Sequence, residues 1–299
     1  MRLRAFAPAK VNLFLHVAPP RADGKHPLSG LSAFADVGDR LTLDADGPPG
    51  LRVEGPLAAG VPTGPENLVS RALAAFSAAT GLDARGLSIV LEKHLPSAAG
   101  IGGGTSDAGA ALRLARAALA PDLPDAALLE MAATLGADGP MCLFPTVSWT
   151  SGLGEILTPE PRLPPLHAVL VNPRVPVPTG AVFAAYDAGP MRRADTPPPP
   201  ADWSYGTVTD WLASQRNDLQ PAAESLCPAI AHARQRIAAS PEILLTRMSG
   251  SGATLFGLCR DAAAAARAAA ALGGLNSEWW VVPVRLDSVD AAVSQNPAD

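Results

Sequence analysis

The sequence predicts an α+β protein with two domains, and three observations support this prediction. The chain has 299 residues, a length that usually corresponds to about two domains. Its first half combines strand and helical patterns, and a glycine-rich loop joins one of its strands to a helix. Its second half has the order β-α-α-β-β-α-β, and the proline-rich residues 158–165 separate the two halves. We therefore expect one domain over residues 1–160 and a second over residues 161–299.

Composition and charge exclude several classes of protein. A hydrophobic content of 48% and a charged content of 17% are typical of an ordinary globular protein. The net charge of −5 argues against a nucleic-acid partner, which usually requires a basic surface. No apolar run is long enough to predict a membrane span, and Lys10 and Asn12 interrupt the N-terminal run, so no signal peptide is expected. We expect a cytoplasmic protein without a membrane partner, either a monomer or a homodimer.

The cysteines do not indicate a metal site or a disulfide framework. The chain has three of them, an odd number, at positions 142, 227 and 259. No two of them have the close spacing of a metal-binding pair, so we predict no protein metal centre. This usage fits a reducing compartment.

The lysines are more informative than the cysteines. Only Lys10, Lys25 and Lys93 are lysines among the 23 basic residues. A lysine provides a compact point charge that the planar arginine side chain does not reproduce. Codon bias also explains a preference for arginine, but the three lysines become candidates for positions where this difference matters.

The pattern of residues 2–18 predicts two strands with a break at Pro8. Apolar and other residues alternate from Val11 to Val17, which is the period of a strand. Lys10 and Asn12 are polar residues at the start of this second strand. They are interpreted either as a solvated strand edge or as polar groups retained for chemistry.

The chain then continues with a turn, two strands, a helix and a third strand. The turn carries Asp-Gly at its centre, and Asn67 is a residue type that commonly begins a helix. The predicted ranges are 21–27 for the turn, 28–37 and 40–43 for the strands, 66–80 for the helix and 87–91 for the third strand.

A glycine-rich loop follows this third strand. Four of the five residues at 100–104 are glycines, and a helical pattern follows over residues 105–118. Glycines let a backbone approach a ligand closely, and the N–H groups at a helix N-terminus form a ready site for an anion. We expect Thr105, Ser106 and Asp107 at the helix cap. The pattern is neither a Walker loop nor a dinucleotide-binding motif, and a plain tight turn is the alternative.

The remaining segments complete the second half of the fold. A helix is predicted over residues 125–135, and on composition alone Asp138 is an ordinary turn residue. Residues 149–157 are expected to form a loop and residues 189–202 an exposed loop, and residues 216–219 are expected to precede a long helix. The other expected elements are a strand at 167–171, a helix start at 178–183, a glycine-rich turn and strand at 247–256, a helix at 261–272 and a strand at 279–286.

Several motifs together resemble one superfamily of small-molecule kinases. Residues 7–13, residues 96–108 and residues 247–256 resemble three motifs of the galactokinase, homoserine kinase, mevalonate kinase and phosphomevalonate kinase superfamily. The Arg-Ala-Asp-Gly-x-His sequence at residues 21–26 and the Leu-Gly-Ala-Asp sequence ending at Asp138 narrow the resemblance to the 4-diphosphocytidyl-2-C-methyl-D-erythritol kinase family. The resemblance implies an N-terminal domain like ribosomal protein S5 and a C-terminal ferredoxin-like α/β sandwich.

The resemblance also implies an activity and its residues. A kinase of this family transfers a phosphate from ATP, with Mg²⁺, to the 2-hydroxyl of a cytidine diphosphate sugar-alcohol in non-mevalonate isoprenoid biosynthesis. Lys10 and Asp138 match the catalytic positions, with Asp138 as the base, and Asn12, Lys25 and His26 match the substrate-binding positions. The residues that match the ATP phosphate cradle are Pro96, Ser97, Ala98, Ala99, Gly100, Ile101, Gly102, Gly103, Gly104, Thr105 and Ser106.

Two positions depart from the family pattern. Lys25 stands where the family usually has a tyrosine that stacks on the cytosine, and Phe34 or Tyr186 is a candidate to replace that ring. Gly139 stands where the family usually has valine, which we expect to loosen a packing position. Another kinase of the superfamily, or a nucleotide-binding module without catalysis, therefore stays an alternative.

Overall fold

A computed structural model describes residues 2–295, which form one mixed sheet covered by helices. The strands of this region are β1 (Arg2–Val17), β2 (Leu28–Asp44), β3 (Gly50–Glu54), β4 (Ser88–Glu92), β5 (Ser148–Ser151), β6 (Ile156–Pro159), β7 (Leu166–Asn172), β8 (Ile243–Met248), β9 (Leu255–Cys259), β10 (Trp280–Asp287) and β11 (Ser294–Gln295). The helices of this region are α1 (Leu68–Thr80), α2 (Gly103–Leu119), α3 (Asp125–Leu135), α4 (Gly139–Leu143), α5 (Thr179–Asp187), α6 (Tyr205–Ala213), α7 (Gln220–Leu226), α8 (Pro228–Ala238) and α9 (Ala262–Leu275).

Strand β2 is the centre of the sheet. It pairs antiparallel with β1 along most of its length and also pairs with β4, β5 and β10. The main path of the sheet runs β11-β1-β2-β10-β7-β9-β8. The pairing of β2 with β10 therefore joins strands from before and after residue 160 in one sheet. The proposed domain boundary at residue 160 stays a prediction.

The predicted α+β class is confirmed by this arrangement, and the helices cover the sheet through three main apolar clusters. One cluster joins β1, β2 and β4 to α1, α2 and α3, with Leu41, Phe76 and Leu112 fully buried. Another joins β7 and β9 to α5, α8 and α9, with Val169 and Ile237 fully buried. None of the helices in the described part of the chain is both long and apolar enough to cross a membrane.

Strand β1 is continuous, so the break predicted at Pro8 is wrong. The pairing with β2 instead shifts register between Pro8 and Lys10, and again between Asn12 and Phe14. Such shifts accommodate a proline that cannot donate to the ladder. Gly38 lies opposite Pro8, where a Cβ atom would be 2.3 Å from the Ala7 carbonyl oxygen. The close approach of the two backbones at this point therefore requires a residue without a side chain.

Two other expectations about local structure need correction. Residues 149–157 are not a loop, because β5 and β6 form an antiparallel hairpin there. The long helix expected after Leu219 is two helices, α7 and α8, which meet at Cys227, and Pro228 begins the second. Proline has no N–H to continue the hydrogen bonds of the preceding helix, whereas it is well tolerated in a first turn.

Residues 189–202 form no helix or strand and are mostly exposed, which confirms the predicted exposed loop, and two of its carbonyls accept hydrogen bonds from side chains of the fold. The His16 ring donates to the Asp195 carbonyl, and the Trp211 indole donates to the Pro198 carbonyl. The segment lies over the end of β1 because its backbone carbonyls supply acceptors for these side chains. Its proline-rich composition indicated a loop but contained no sign of its partners.

Candidate active site

The predicted phosphate-binding segment lies between β4 and α2, as expected. Pro96, Ala99, Ile101 and Ser106 are buried, while the residues open to solvent or partly open are Ser97, Ala98, Gly100, Gly102, Gly103, Gly104 and Thr105. Helix α2 begins at Gly103, two residues earlier than predicted, and Gly102 is its cap with φ of 65°. No side chain caps this helix, so the expected capping by residues 105–107 is wrong. The N–H groups of the first turn therefore remain available for an anion.

A glycine-rich turn from the second half of the chain supports this loop. Gly100 has φ of 72°, and a Cβ atom there would be 2.5 Å from the Ser249 carbonyl oxygen. The Ser249 hydroxyl donates to the Gly100 carbonyl at 2.9 Å and accepts from the Asn12 N–H at 3.0 Å. The Thr254 N–H donates to the Ala99 carbonyl at 3.0 Å. The resemblance of residues 247–256 to a motif adjoining the phosphate loop thus has a geometric counterpart.

Lys10 and Asp138 form an ion pair at the start of α2. The Lys10 ammonium lies 3.0 Å from Oδ2 of Asp138, with 6% of the lysine side chain and 41% of the aspartate side chain exposed. A Cβ atom on Gly102 would be 3.3 Å from Cβ of Lys10, so the pair adjoins the glycine loop. The Lys10 N–H also donates to the Ile101 carbonyl at 2.8 Å. The aspartate is open to a ligand, while the lysine is held by the protein.

Asn12 connects this ion pair to the neighbouring strand. Its Oδ1 accepts from the Lys10 ammonium at 2.9 Å, and its Nδ2 donates to the Ser32 hydroxyl at 2.9 Å. Asn12 and Ser32 are both buried. The interpretation of Lys10 and Asn12 as a solvated strand edge is therefore wrong, because both side chains are enclosed and hydrogen-bonded.

The backbone around Asp138 depends on Gly139. A Cβ atom at Gly139 would be 1.9 Å from the Ala132 carbonyl oxygen in the last turn of α3. The expectation that this glycine loosens a packing position is wrong. The two helices approach so closely here that a larger residue would have to move α4, which begins directly after Asp138.

Lys93, the third lysine, is buried behind the loop. Its ammonium donates to carboxylates of Asp39 and Asp107, and at most 4% of each of the three side chains is exposed. Burial disfavours a charged lysine, but the carboxylates of Asp107 and Asp39 outweigh this effect and raise the pKa of Lys93. Burial raises the pKa of Asp107 well above its usual value. Lys93 is therefore a charged group inside the protein rather than at its surface.

The other two predicted substrate-binding residues lie beyond the far end of β1. Lys25 is exposed. The His26 ring donates from Nδ1 to the Ala18 carbonyl at 2.9 Å, and its Nε2 lies 3.5 Å from Oδ1 of Asp187. The ring of the half-buried Phe183 lies 4.9 Å from the His26 ring, centroid to centroid. The structure thus separates Lys25 and His26 from the Lys10 and Asp138 pair by the second half of β1.

Neither candidate replacement for the missing tyrosine ring is free to stack on a base. Phe34 is fully buried and packs against Met141 and Cys142. Tyr186 is buried, and its hydroxyl donates to the Val17 carbonyl. Both rings are therefore part of the core of the protein.

The residues present fit a magnesium ion that is carried mainly by phosphates. In the part of the chain that the structure describes, no group of three or more His, Cys, Asp or Glu side chains is arranged for a metal. Mg²⁺ usually keeps several waters and binds phosphate oxygens with one or two protein oxygens. The Ser106 hydroxyl, in the first turns of α2, is buried without a hydrogen-bond partner. It is the protein oxygen that would hold such an ion.

Sequence reasoning found the ion pair and the loop but missed the groups that position them. Ser32, Ser249, Asp39 and Asp107 were not among the predicted site residues. The scarcity of lysine was the one local signal that pointed to Lys93. The partners of these residues are distant in the chain, so no local pattern could have indicated them.

Comparison with known proteins agrees with this geometry. The chain matches the GHMP kinases N terminal domain over residues 67–146 and the GHMP kinases C terminal family over residues 208–276. It is 52% identical over 288 residues to a 4-diphosphocytidyl-2-C-methyl-D-erythritol kinase of Dinoroseobacter shibae, covering 95% of each chain. It is also 52% identical to a protein of the same name from a Caulobacter species, covering 96% of this chain and 99% of the other.

A solved structure supports the same assignment. The crystal structure of a 4-(cytidine 5'-diphospho)-2C-methyl-D-erythritol kinase superposes with a TM-score of 0.76 at 35% identity. The match covers 96% of this chain and 100% of that one. With this overall likeness and the ion pair beside a glycine loop, the chain belongs to the 4-diphosphocytidyl-2-C-methyl-D-erythritol kinase family of the GHMP kinases.

Proposed function

We propose that this protein transfers the γ-phosphate of ATP to the 2-hydroxyl of 4-diphosphocytidyl-2-C-methyl-D-erythritol, giving the 2-phosphate and ADP for isoprenoid precursor biosynthesis. The observation that carries the proposal is the ion pair of Lys10 and Asp138, 3.0 Å apart, beside the uncapped start of α2. A phosphate site and a candidate base are the two components that such a transfer requires. Membership of a family of ATP-dependent kinases supports ATP as the phosphate donor.

Asp138 acts as the general base. Its partly exposed carboxylate accepts the proton of the substrate hydroxyl as the hydroxyl oxygen attacks the γ-phosphate. Positioned proton transfer of this kind contributes roughly 10²–10⁴-fold to a rate. Lys10, fixed by Asn12, holds the carboxylate in place and provides a positive charge at the point where negative charge develops.

The phosphates of ATP bind at the glycine loop. The N–H groups of the first turn of α2 face them, and the positive end of the helix dipole favours their charge. The Ser106 hydroxyl would hold Mg²⁺ here, and the bound ion would supply positive charge that neutralises the phosphates. Positioning and charge neutralisation, rather than covalent catalysis, therefore account for the reaction.

The separation between the two ends of the site supports an elongated substrate. Lys10, paired with Asp138, lies in the middle of β1, and His26 lies beyond the C-terminal end of that strand, next to Phe183. A ligand that touches both ends must extend along the strand, as a cytidine diphosphate joined to a sugar-alcohol can. Lys25, although exposed, remains a proposed contact to the cytidine end.

The experiment that tests the proposal compares Asp138→Asn with the wild-type protein in an ATP-consumption assay. We expect turnover to fall by about 10²–10⁴-fold, with ADP affinity unchanged, because the amide cannot accept the proton. Asp125→Asn, which changes a surface ion pair with Arg116, serves as the matched control and should retain turnover. Retained turnover in Asp138→Asn would exclude the base assignment.

The same assay compares 4-diphosphocytidyl-2-C-methyl-D-erythritol, homoserine and mevalonate as acceptors. Turnover with the cytidylyl substrate alone supports the proposal. Turnover with another alcohol would change the substrate while keeping the phosphate site. Tight ADP binding without turnover of any acceptor would favour a nucleotide-binding module. Cytoplasmic location and a monomeric or homodimeric state stay predictions.

A further inference from the structure

The buried cluster of Asp39, Lys93 and Asp107 has no part in the proton transfer proposed above. We call these three residues the Lys93 cluster. The Lys93 ammonium donates to Oδ2 of Asp107 at 2.8 Å and to Oδ2 of Asp39. Placing charged groups inside a protein costs free energy, and well-packed apolar residues of similar size are often equally stable. Stability alone is therefore a poor explanation for the cluster.

The cluster connects the two ends of the phosphate loop. Oδ1 of Asp39 accepts from the N–H groups of His94 and Leu95, at 2.6 and 2.9 Å, where the chain leaves β4. Asp107 belongs to α2, where the chain leaves the loop. Because Lys93 binds both carboxylates, one ammonium group holds the beginning and the end of residues 94–107.

The cluster is also close to the residues that would face the phosphates. A Cβ atom on Gly103, the first residue of α2, would be 3.8 Å from Nζ of Lys93. The ammonium therefore lies directly behind the start of the helix.

We infer that Lys93 is a positioning residue for ATP: its ammonium, by holding Asp39 and Asp107 together, keeps the glycine loop in the geometry that binds the triphosphate. This inference rests on the proposed phosphate site. It differs from the proposed role of Lys10, because Lys93 acts through the loop and does not touch the substrate.

The test measures ADP affinity by titration calorimetry together with urea unfolding. Lys93→Met removes the ammonium but leaves two buried carboxylates unpaired, so this variant is expected to be less stable. The triple variant Lys93→Met, Asp39→Asn and Asp107→Asn removes these charges and allows the loop to be tested in a folded protein. We expect the dissociation constant for ADP to rise by about 10-fold or more in both variants, because small displacements of binding groups are costly.

Arg113→Met is the matched control, because Arg113 is another buried cation of α2. It donates to the carbonyls of Leu143 and Phe6, away from the loop. We expect this variant to lose stability while its ADP affinity stays within about twofold of wild type, which is a small free-energy change.

A further readout separates positioning from a general loss of structure. Steady-state kinetics should show a raised KM for ATP and an unchanged KM for the cytidylyl substrate in the Lys93 variants. An unchanged ADP affinity and KM for ATP in either folded Lys93 variant would overturn the inference. Failure of the wild-type protein to bind ADP would instead contradict the proposed function, so the two failures are distinguishable.

Discussion

At the scale of single residues, Lys10 and Lys93 show two different uses of a buried ammonium group. Lys10 faces a carboxylate that is 41% exposed, and that carboxylate remains open to a ligand. Lys93 faces two carboxylates that are enclosed by the protein, so its ammonium group cannot reach a ligand. The surroundings of each lysine, rather than its residue type, therefore decide whether it takes part in the reaction or holds the loop in place.

His16 is a buried residue whose titration should affect stability. Its Nδ1–H donates to the Asp195 carbonyl, while its Nε2 is buried without a partner. A proton added at Nε2 would have no acceptor, and burial lowers the pKa of His16 below its usual value. The hydrogen bond to the Asp195 carbonyl and the nearby Asp218 oppose this lowering of the pKa, while the cations of Arg216 and Arg247 add to it.

We predict that His16 makes the protein less stable in mild acid. As the pH falls below about 6.5, the unfolded state takes up a proton on His16 before the folded state does, so the free energy of unfolding falls. One such proton changes this free energy by at most about 1.4 kcal/mol per pH unit. Urea unfolding at pH 7.5 and 5.5 should show a smaller loss for His16→Asn, which keeps a donor for Asp195. His232→Asn, at an exposed histidine, is the control, and an equal loss in His16→Asn and wild type would contradict the prediction.

At the scale of elements, the junction of α3 and α4 decides where Asp138 lies. The sequence indicated the end of α3 correctly at Leu135. The next helix begins at Gly139, and the backbones of the two helices are so close that the glycine has no space for a side chain. The position of Asp138 is therefore a result of helix packing as well as of its own turn.

We predict that Gly139→Ala and Gly139→Val lower turnover without changing ADP affinity. The added carbon meets the Ala132 carbonyl, so α4 must shift and move Asp138 away from Lys10. Overpacking of this kind costs about 1–3 kcal/mol of stability, and a displaced catalytic group can cost about 10²-fold in rate. Thermal unfolding, kcat and ADP titration measure these effects.

Gly206→Ala is the control for this prediction, because a Cβ atom there meets nothing within 4 Å. It should leave turnover unchanged. Full turnover in Gly139→Val would contradict the prediction, because it would show that the site tolerates a shift of α4.

At the scale of the whole molecule, the site is assembled from both halves of the chain. The Ser249 hydroxyl, contributed by the second half, joins Gly100 of the loop to Asn12 of β1. Asn217 supports the same turn by donating to the carbonyls of Met248 and Gly250, each at 2.8 Å. The loop and the catalytic strand therefore depend on residues far from either of them in the sequence.

We predict that Ser249→Ala lowers both the ADP affinity and the turnover of the protein. The substitution leaves the Asn12 N–H and the Gly100 carbonyl without their buried partner, which costs about 1–3 kcal/mol for each unsatisfied group. Because the hydroxyl touches both the loop and the strand, ADP affinity and kcat should fall together. Calorimetry and steady-state kinetics test this, with Ser88→Ala, at a buried serine of β4, as the control. A loss of stability with both functions intact would limit Ser249 to a structural role.

The sequence by itself determined the parts of this protein that depend on neighbouring residues. Helix α3 has the predicted bounds, Asn67 caps α1 through a hydrogen bond to the Val69 N–H, and a strand enters the glycine loop before a helix. These features follow from local periodicity and from the conformations that each residue type favours. The resemblance of separated motifs to one kinase family added the roles that local patterns could not give.

Only the tertiary structure decided which distant groups meet. It kept β1 continuous through Pro8, because Gly38 of the neighbouring strand allows the close approach. It enclosed Lys93 between two aspartates and made Gly139 a requirement of packing. In each case the outcome depends on atoms from another element, and a local pattern carries no information about the distance to a partner that folding alone brings near.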